Sequence, residues 1–161
     1  MDIKEDWQKI RGHFRVSFKS NFHVSIASVG SNGNPTVTPI GSLFLNDNQT
    51  GYYFERFPSK LPTHVKFNNN VCILSVNSGR WFWLKSLFSD EFKSYPALKL
   101  YGHLGKKRHA TESEILRLQR RMKITKGLRG NRTLWVNMQN VRDIKFDSVE
   151  KINLGKMTRS L

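Results

Sequence analysis

Residues 22–60 read FHVSIASVGSNGNPTVTPIGSLFLNDNQTGYYFERFPSK, and this stretch carries the main strand and turn signals of the chain. It holds three segments rich in β-branched and aromatic residues, 23–29, 36–45 and 52–57, which are separated by clusters of turn-forming residues. The first cluster contains Asn32-Gly33, a pair that favours a type I′ hairpin turn because both residues tolerate a positive φ angle. The stretch therefore predicts a three-stranded antiparallel meander.

Two residues of the second segment suggest that its backbone is not fully paired. Pro39 has no N–H group to donate to a neighbouring strand, and Gly41 has no side chain to pack. Such residues are typical of an edge strand, of a β-bulge, or of a place where a ligand approaches the backbone closely. The pattern itself leaves these three interpretations open.

The order of these motifs is similar to that of the pyridoxamine 5′-phosphate oxidase-like family, the flavin-binding split barrels. The matching motifs are Gly33-Asn34-Pro35, Val37-Thr38-Pro39-Ile40-Gly41, Tyr53-Phe54, Ser59-Lys60 and Asn69-Asn70-Val71, with Asn70 where the family usually has proline. A Gly-x-Met-Thr ending, Gly155 to Thr158, also resembles members of this family. The resemblance implies a mainly β fold with flanking helices (α+β), a six-stranded antiparallel split β-barrel, in one domain spanning 1–161.

The resemblance also implies an FMN-dependent oxidoreductase that is a homodimer, with the cofactor at the subunit interface. The expected cofactor-binding residues fall into a backbone segment along the flavin ring, the end of an aromatic strand, and a phosphate seat where a helix begins: Val37, Thr38, Pro39, Ile40, Gly41, Ser42; Phe54, Glu55; and Ser59, Lys60. An arginine often completes such a phosphate site, and Arg56, Arg80 and Arg132 are all candidates. Within the same fold, a deazaflavin or haem could replace FMN, and a further alternative is a member that binds flavin, deazaflavin or haem without redox turnover. No catalytic residue is assigned, the substrate stays open, and the glutamine that many pyridoxamine phosphate oxidases use has no counterpart near Ala97.

On the residues alone, Ser59-Lys60 has two interpretations. Ser59 could simply cap a helix beside a solvated lysine. Alternatively, the free N–H groups at the start of that helix and the Lys60 ammonium could hold a phosphate.

The rest of the chain predicts further elements around the barrel. Residues 1–19 form an N-terminal helix with Trp7, Ile10, Phe14 and Phe18 on one face. Residues 78–96 are a Trp-rich insertion of one or two helical turns, either a lid over a pocket or a packed surface loop. Residues 111–126 form a basic helix that begins with a capping box at Thr111 and Glu114. Further strands are expected at 71–77, 97–105 and 133–138, and 141–146 either continues the last of these or pairs with it.

The charge suggests a competing function. The chain has 27 Lys and Arg against 12 Asp and Glu, a net charge of +15. Residues 106–132 alone contain ten basic and two acidic residues. Nucleic acid, a phosphorylated cofactor and an anionic membrane surface would all complement this charge. A non-enzymatic nucleic-acid-binding protein is therefore the main alternative, although no recognition motif for nucleic acid is present.

The sequence offers few side chains for covalent, acid–base or metal chemistry. None of its five histidines lies in a nucleophile motif or at zinc-ligand spacing, so no metal site is expected. This scarcity agrees with a protein whose cofactor carries the chemistry. The polar N-terminus and the lack of an apolar run of about 20 residues favour a cytoplasmic protein without a membrane partner.

Overall fold

The computed structural model describes residues 1–57, 60–123 and 138–161. In the described residues the strands are β1 (Val24–Val29), β2 (Pro35–Ile40), β3 (Leu43–Leu45), β4 (Thr50–Phe54), β5 (Asn70–Val76), β6 (Ala97–His109) and β7 (Asn140–Lys151). The helices are α1 (Trp7–Asn21), α2 (Lys60–His64), α3 (Arg80–Ser89) and α4 (Glu112–Met122), followed by a short 3-10 helix, Gly155–Thr158. The strands form one sheet in the order β2-β1-β5-β6-β7-β4-β3, and every neighbouring pair is antiparallel.

The sheet curls into a split barrel with flanking helices, which confirms the predicted fold class. Strands β2 and β3 occupy opposite edges of the sheet, yet only Gly41 and Ser42 separate them in the chain. The two edges must therefore approach each other at this link. The described residues contain seven strands where six were predicted for the chain, because the predicted segment 36–45 is divided into β2 and β3.

The predicted three-stranded meander is wrong for the same reason. β1 and β2 form a hairpin, and β3 and β4 form another, but the two hairpins lie at opposite ends of the sheet. Pro39 lies in an edge strand, as one of the three interpretations predicted. An edge position suits Pro39 because its missing N–H group then leaves no gap between two paired strands.

The hairpin between β1 and β2 is confirmed, but its turn differs from the prediction. Val29 pairs with Pro35, so the loop contains five residues rather than the two of a type I′ turn. The N–H of Gly33 donates to the carbonyl of Gly30 at 3.0 Å, and Gly33 takes a φ of 78°. Only Gly33, and not Asn32, therefore needs the left-handed conformation.

Helices α1 and α4 cover the two apolar clusters of the barrel. Trp7, Ile10 and Phe14 of α1 are buried in the main cluster, as their spacing predicted. Helix α4 begins with the predicted capping box, in which Glu114 N–H donates to Thr111 Oγ1 at 3.3 Å and Thr111 N–H donates to Glu114 Oε2 at 2.8 Å. Leu118 of α4 packs into the second cluster, which also contains Phe44, Tyr52, Phe54, Met138 and Val141.

The Trp-rich insertion differs from its prediction, and parts of two other predicted elements lie outside the described residues. The Trp-rich insertion contains the ten-residue helix α3, longer than the one or two turns predicted. The predicted strand 133–138 lies outside the described residues except for Met138, and so do residues 124–126 at the end of the predicted basic helix.

Candidate functional site

A cleft of ≈ 450 Å³ lies between the β1–β2 hairpin loop and helix α2. Lys60, the first residue of α2, is exposed at this cleft, whereas Ser59, with which it was predicted to form a phosphate seat, lies outside the described residues. The cleft is lined by Gly30, Ser31, Asn32, Lys60, Thr63, His64 and Phe67. The backbone of the loop, small polar side chains and one ammonium group therefore face the same space.

A hydrogen-bonded chain of polar side chains runs from His64, in the lining of this cleft, to the two strands of the hairpin. Buried His64 contacts Ser28 of β1, with 3.0 Å between His64 Nδ1 and Ser28 Oγ. Ser28 Oγ in turn lies 3.4 Å from Thr36 Oγ1 on β2. A Cβ atom at Gly30 would lie 3.0 Å from His64 Nε2, so the loop can approach the ring this closely because residue 30 is a glycine. These contacts fix α2 against the hairpin.

Strand β2 carries the predicted ring-binding backbone at an open edge of the barrel. Within the described residues β1 is its only neighbour in the sheet. Val37 is 66% exposed, and Thr38 and Pro39 also reach the surface, whereas Ile40 is buried in the main core. The structure therefore leaves the outer edge of residues 37–39 accessible to a ligand or to another chain.

Ser42 and Phe54 are joined to each other. Ser42 Oγ donates to the Phe54 carbonyl and accepts from the Phe54 N–H, both at 3.2 Å. The Phe54 ring is buried among Phe44, Tyr52 and Leu118. In this conformation neither the Phe54 ring nor its backbone groups are available to a flavin. The hydrogen bonds between Ser42 and Phe54 instead hold the link between β2 and β3 against the end of β4.

Glu55 belongs to a buried charge cluster. Arg142 of β7 donates to both carboxylate oxygens of Glu55, from Nε at 2.6 Å and from Nη2 at 3.0 Å. Tyr53 Oη donates to the same carboxylate at 3.0 Å, and Lys107 Nζ lies 3.5 Å from it. Burial tends to raise the pKa of Glu55, but the hydrogen bonds and the charge of Arg142 outweigh it and lower the pKa. Glu55 is thus an ionised structural group that sequence reasoning placed in the ligand site.

Two arginines of α4 reach the link between β2 and β3. Arg121 Nη1 donates to the carbonyl of Leu43 at 2.5 Å and to that of Gly41 at 3.4 Å. Arg117 Nη2 donates to the carbonyl of Leu45 at 2.9 Å. The guanidinium carbon of Arg121 lies 3.6 Å from the centre of the Phe44 ring, a cation–π contact.

Two arginines of the predicted basic helix therefore lie against the barrel rather than in solvent. Their long side chains extend along apolar surface while the guanidinium groups find carbonyl oxygens. Arg108, in the same basic stretch, pairs with Glu114 at 2.7 Å and with Asp143 at 2.8 Å. With Lys107, which lies 3.5 Å from Glu55, at least four of the basic residues described in 106–123 are therefore engaged with the fold, which weakens the argument for a nucleic-acid surface there.

Of the three alternative arginines for a phosphate site, the two that are described do not line the Lys60 cleft. Arg56 lies over the Phe57 ring at 4.9 Å and Arg80 begins α3, whereas Arg132 lies outside the described residues. Trp83 of the Trp-rich insertion packs edge-on against Phe92, and its indole N–H donates to the Asn77 carbonyl at 2.7 Å.

Taken together, the described residues fit the phosphate end of a ligand better than its ring. The Lys60 cleft is polar and open, and Lys60 carries a positive charge there. In the described residues no group of three or more metal-ligating side chains occurs, and none of the helices is long and apolar enough to cross a membrane. Sequence reasoning missed Ser28 and His64, because only the fold brings together residues 36 positions apart.

The fold is that of the pyridoxamine 5′-phosphate oxidase-like split barrels. No protein-family model and no curated protein matches the sequence. Among solved structures, an FMN-binding protein from Syntrophomonas wolfei subsp. wolfei matches with a TM-score of 0.59 and 15% identity, covering 95% of this chain and 96% of that one. A protein of the pyridoxinephosphate oxidase family from Clostridium acetobutylicum, related to general stress protein 26, matches with a TM-score of 0.55 and 12% identity over 94% and 90% of the two chains.

Other proteins with this fold bind different cofactors. HutZ, a haem storage protein from Vibrio cholerae, matches with a TM-score of 0.55 and 12% identity over 94% of this chain and 95% of that one. An F420 reductase has the same fold. At these identities the likeness concerns the fold, and the fold alone accommodates flavin, deazaflavin and haem proteins.

Proposed function

We propose that this protein binds FMN and acts as an FMN-dependent oxidoreductase, with the FMN phosphate in the Lys60 cleft. The observation that carries the proposal is the position of Lys60. It places an ammonium group at a polar cleft formed by the hairpin loop that leads into β2.

The cleft suits a phosphate for three reasons. The Lys60 ammonium supplies the positive charge, and charge-assisted hydrogen bonds to phosphate are stronger than neutral ones. Ser31 and Asn32 supply side-chain donors around the same space. No carboxylate is among the residues that line it, so within the described part of the chain nothing there repels an anion.

The edge of β2 suits the flavin ring. Its outer edge has no strand neighbour among the described residues, so peptide groups of residues 37–39 are free to meet the polar edge of a flat ring. In the proposed homodimer a second copy of the chain encloses the ring against this edge. When bound, FMN supplies the electron-transfer chemistry itself, and the protein binds it, orients it and limits the access of water.

The test is a titration of the purified protein with FMN, followed by the visible flavin bands. We expect the bands to shift on binding, and Lys60→Ala to weaken FMN affinity about 10- to 100-fold, as expected for loss of a charged hydrogen-bond donor. The matched control is Lys66→Ala, which removes an exposed lysine that does not line the cleft.

The outcomes separate the cofactors and the competing function. Unchanged flavin bands at excess protein would overturn the proposal, and an intense haem band in place of flavin binding would assign the fold to haem. Equal losses of FMN affinity in Lys60→Ala and Lys66→Ala would mean that the overall charge of the protein, and not the Lys60 cleft, determines FMN binding. Retention on nucleic acid that persists at moderate salt, without flavin binding, would favour the nucleic-acid-binding alternative.

A further inference from the structure

Helix α3 exposes large apolar side chains on one side while its other side is packed. Phe82 and Trp83 contact buried Phe92, with ring centres 5.4 Å and 5.2 Å apart. The side chains facing water are Trp81, Leu84, Leu87 and Phe88, and of these Trp81 is 77% and Phe88 91% exposed. Large apolar side chains on both the inner and the outer side of a helix are normally covered on both sides. We infer that the outer side of α3 docks onto another surface.

The end of α1 adds to the same surface. Ser78, just before α3, donates its N–H to Ser20 Oγ at 3.0 Å, and Asn21 Nδ2 donates to the Val76 carbonyl at 2.6 Å. These bonds place Phe22, which follows α1, at the same end of the barrel as α3. Phe22 is also largely exposed, and it takes the left-handed conformation, φ 61°, that is uncommon for a bulky residue. The fold thus presents aromatic side chains from two separate elements at one end.

The charge around α3 decides which surface it meets. Arg80 and Lys85 lie on the helix and are exposed, and Lys93 follows it. Of the two acids after the helix, Asp90 is paired with Lys156 at 2.8 Å, which leaves Glu91 as the other negative charge next to α3. The whole chain carries a net charge of +15. A second copy docked through the same helix would bring its own Arg80, Lys85 and Lys93 against these cations, which disfavours self-contact at α3 and does not bear on a homodimer formed at the edge of β2.

We propose that α3 lies on a lipid bilayer that contains anionic lipids. Exposed Trp, Phe and Leu side chains next to Lys and Arg are the combination that inserts a helix shallowly into the interface while cations meet the headgroups. Such a helix lies in the plane of the membrane and needs only a few apolar residues on one side. The lack of a 20-residue apolar run, from which the sequence predicted no membrane partner, therefore does not bear on it. This docking uses a different part of the barrel from the Lys60 cleft and is independent of the proposed FMN binding.

The test is sedimentation of the full chain with vesicles of phosphatidylcholine alone or with added phosphatidylglycerol. We expect binding only to the vesicles with phosphatidylglycerol. Removing two inserted aromatic side chains in the double variant Trp81→Ser with Phe88→Ser should weaken binding at least about tenfold. Two exposed leucines give a matched pair of single changes. Leu87→Ser on α3 should weaken vesicle binding, whereas Leu116→Ser on α4 should leave it unchanged.

Each other outcome overturns the proposal. Binding of the double variant as tight as that of the unchanged protein would mean that charge alone attracts the chain to the vesicles. No sedimentation with anionic vesicles, or equal binding to neutral ones, would exclude the proposed surface. A lower mass of the double variant in light scattering, without vesicles, would show that a second copy covers α3. Because these side chains are exposed, an unchanged midpoint of thermal unfolding is expected and verifies that the variants fold.

Discussion

Arg142 and Arg121 are both largely withdrawn from water, but the fold compensates their charges in different ways. Arg142 faces the buried carboxylate of Glu55, 87 positions away in the chain, and the two groups share a pair of hydrogen bonds. Arg121 forms no ion pair among the described residues. Its charge is met instead by backbone carbonyls of Gly41 and Leu43 and by the faces of two rings, Phe44 at 3.6 Å and Phe18 at 4.5 Å.

The stability of the two clusters therefore depends on their surroundings in different ways. A buried ion pair is vulnerable, because removal of one partner leaves the other charge uncompensated in a medium that solvates it poorly. Carbonyl dipoles and aromatic rings carry no net charge, so removal of the arginine leaves no charge behind. The Glu55 cluster should therefore be sensitive both to substitution and to acid pH, whereas the Arg121 cluster should be insensitive to acid pH and less sensitive to substitution.

The largest effect is expected for Glu55→Gln. The change keeps the shape of the side chain but leaves the buried Arg142 guanidinium without a negative partner. We expect the free energy of unfolding to fall by about 3–5 kcal/mol, as measured by urea unfolding.

The control for this change is Glu150→Gln on β7. Glu150 pairs with Lys99 at 2.9 Å at the surface, where water solvates both groups, so little or no loss is expected. Equal losses for the two variants would show that burial of the Glu55–Arg142 pair does not determine its importance.

The second prediction concerns pH. Because the folded-state pKa of Glu55 lies below its ordinary value of 4.5, its contribution is fully present above pH 4.5 and is lost as the pH falls through the folded-state pKa. The difference in unfolding free energy between the unchanged protein and Glu55→Gln should therefore shrink as the pH is lowered from 7 towards and below the lowered pKa. A difference that stays constant over this range would contradict the assignment of Glu55 as an ionised partner.

These two clusters also show what the sequence could predict. Helix α1, the β1–β2 hairpin and the capping box of α4 follow from patterns within a few residues of each other, and local chemistry decides them. The division of 36–45 into β2 and β3 could not be predicted in this way. It depends on β3 pairing with β4 and on β4 pairing with β7, about 90 positions further along.

The residues of the candidate site show the same division between local patterns and long-range pairing. Lys60 and residues 37–39 lie at an open surface, where a local motif had placed them. Phe54 and Glu55 belong to the same motif, but they end β4 and meet the second apolar cluster and Arg142 of β7. A motif fixes the order of residues in the chain, whereas the strand neighbours fix which side chains remain accessible.

The smallest effect is expected for Arg121→Met. Methionine keeps an unbranched apolar stem against Phe44 but loses the hydrogen bonds to the Leu43 and Gly41 carbonyls and the cation–π contact. We expect the unfolding free energy to fall by about 1–2 kcal/mol, by the same amount at pH 7 and at pH 4. The control is Arg120→Met, since Arg120 is exposed on the same helix and its loss should change stability little. A loss for Arg121→Met as large as that for Glu55→Gln, or one that varies with acid pH, would mean that Arg121 depends on a carboxylate after all, and the contrast between the two clusters would fail.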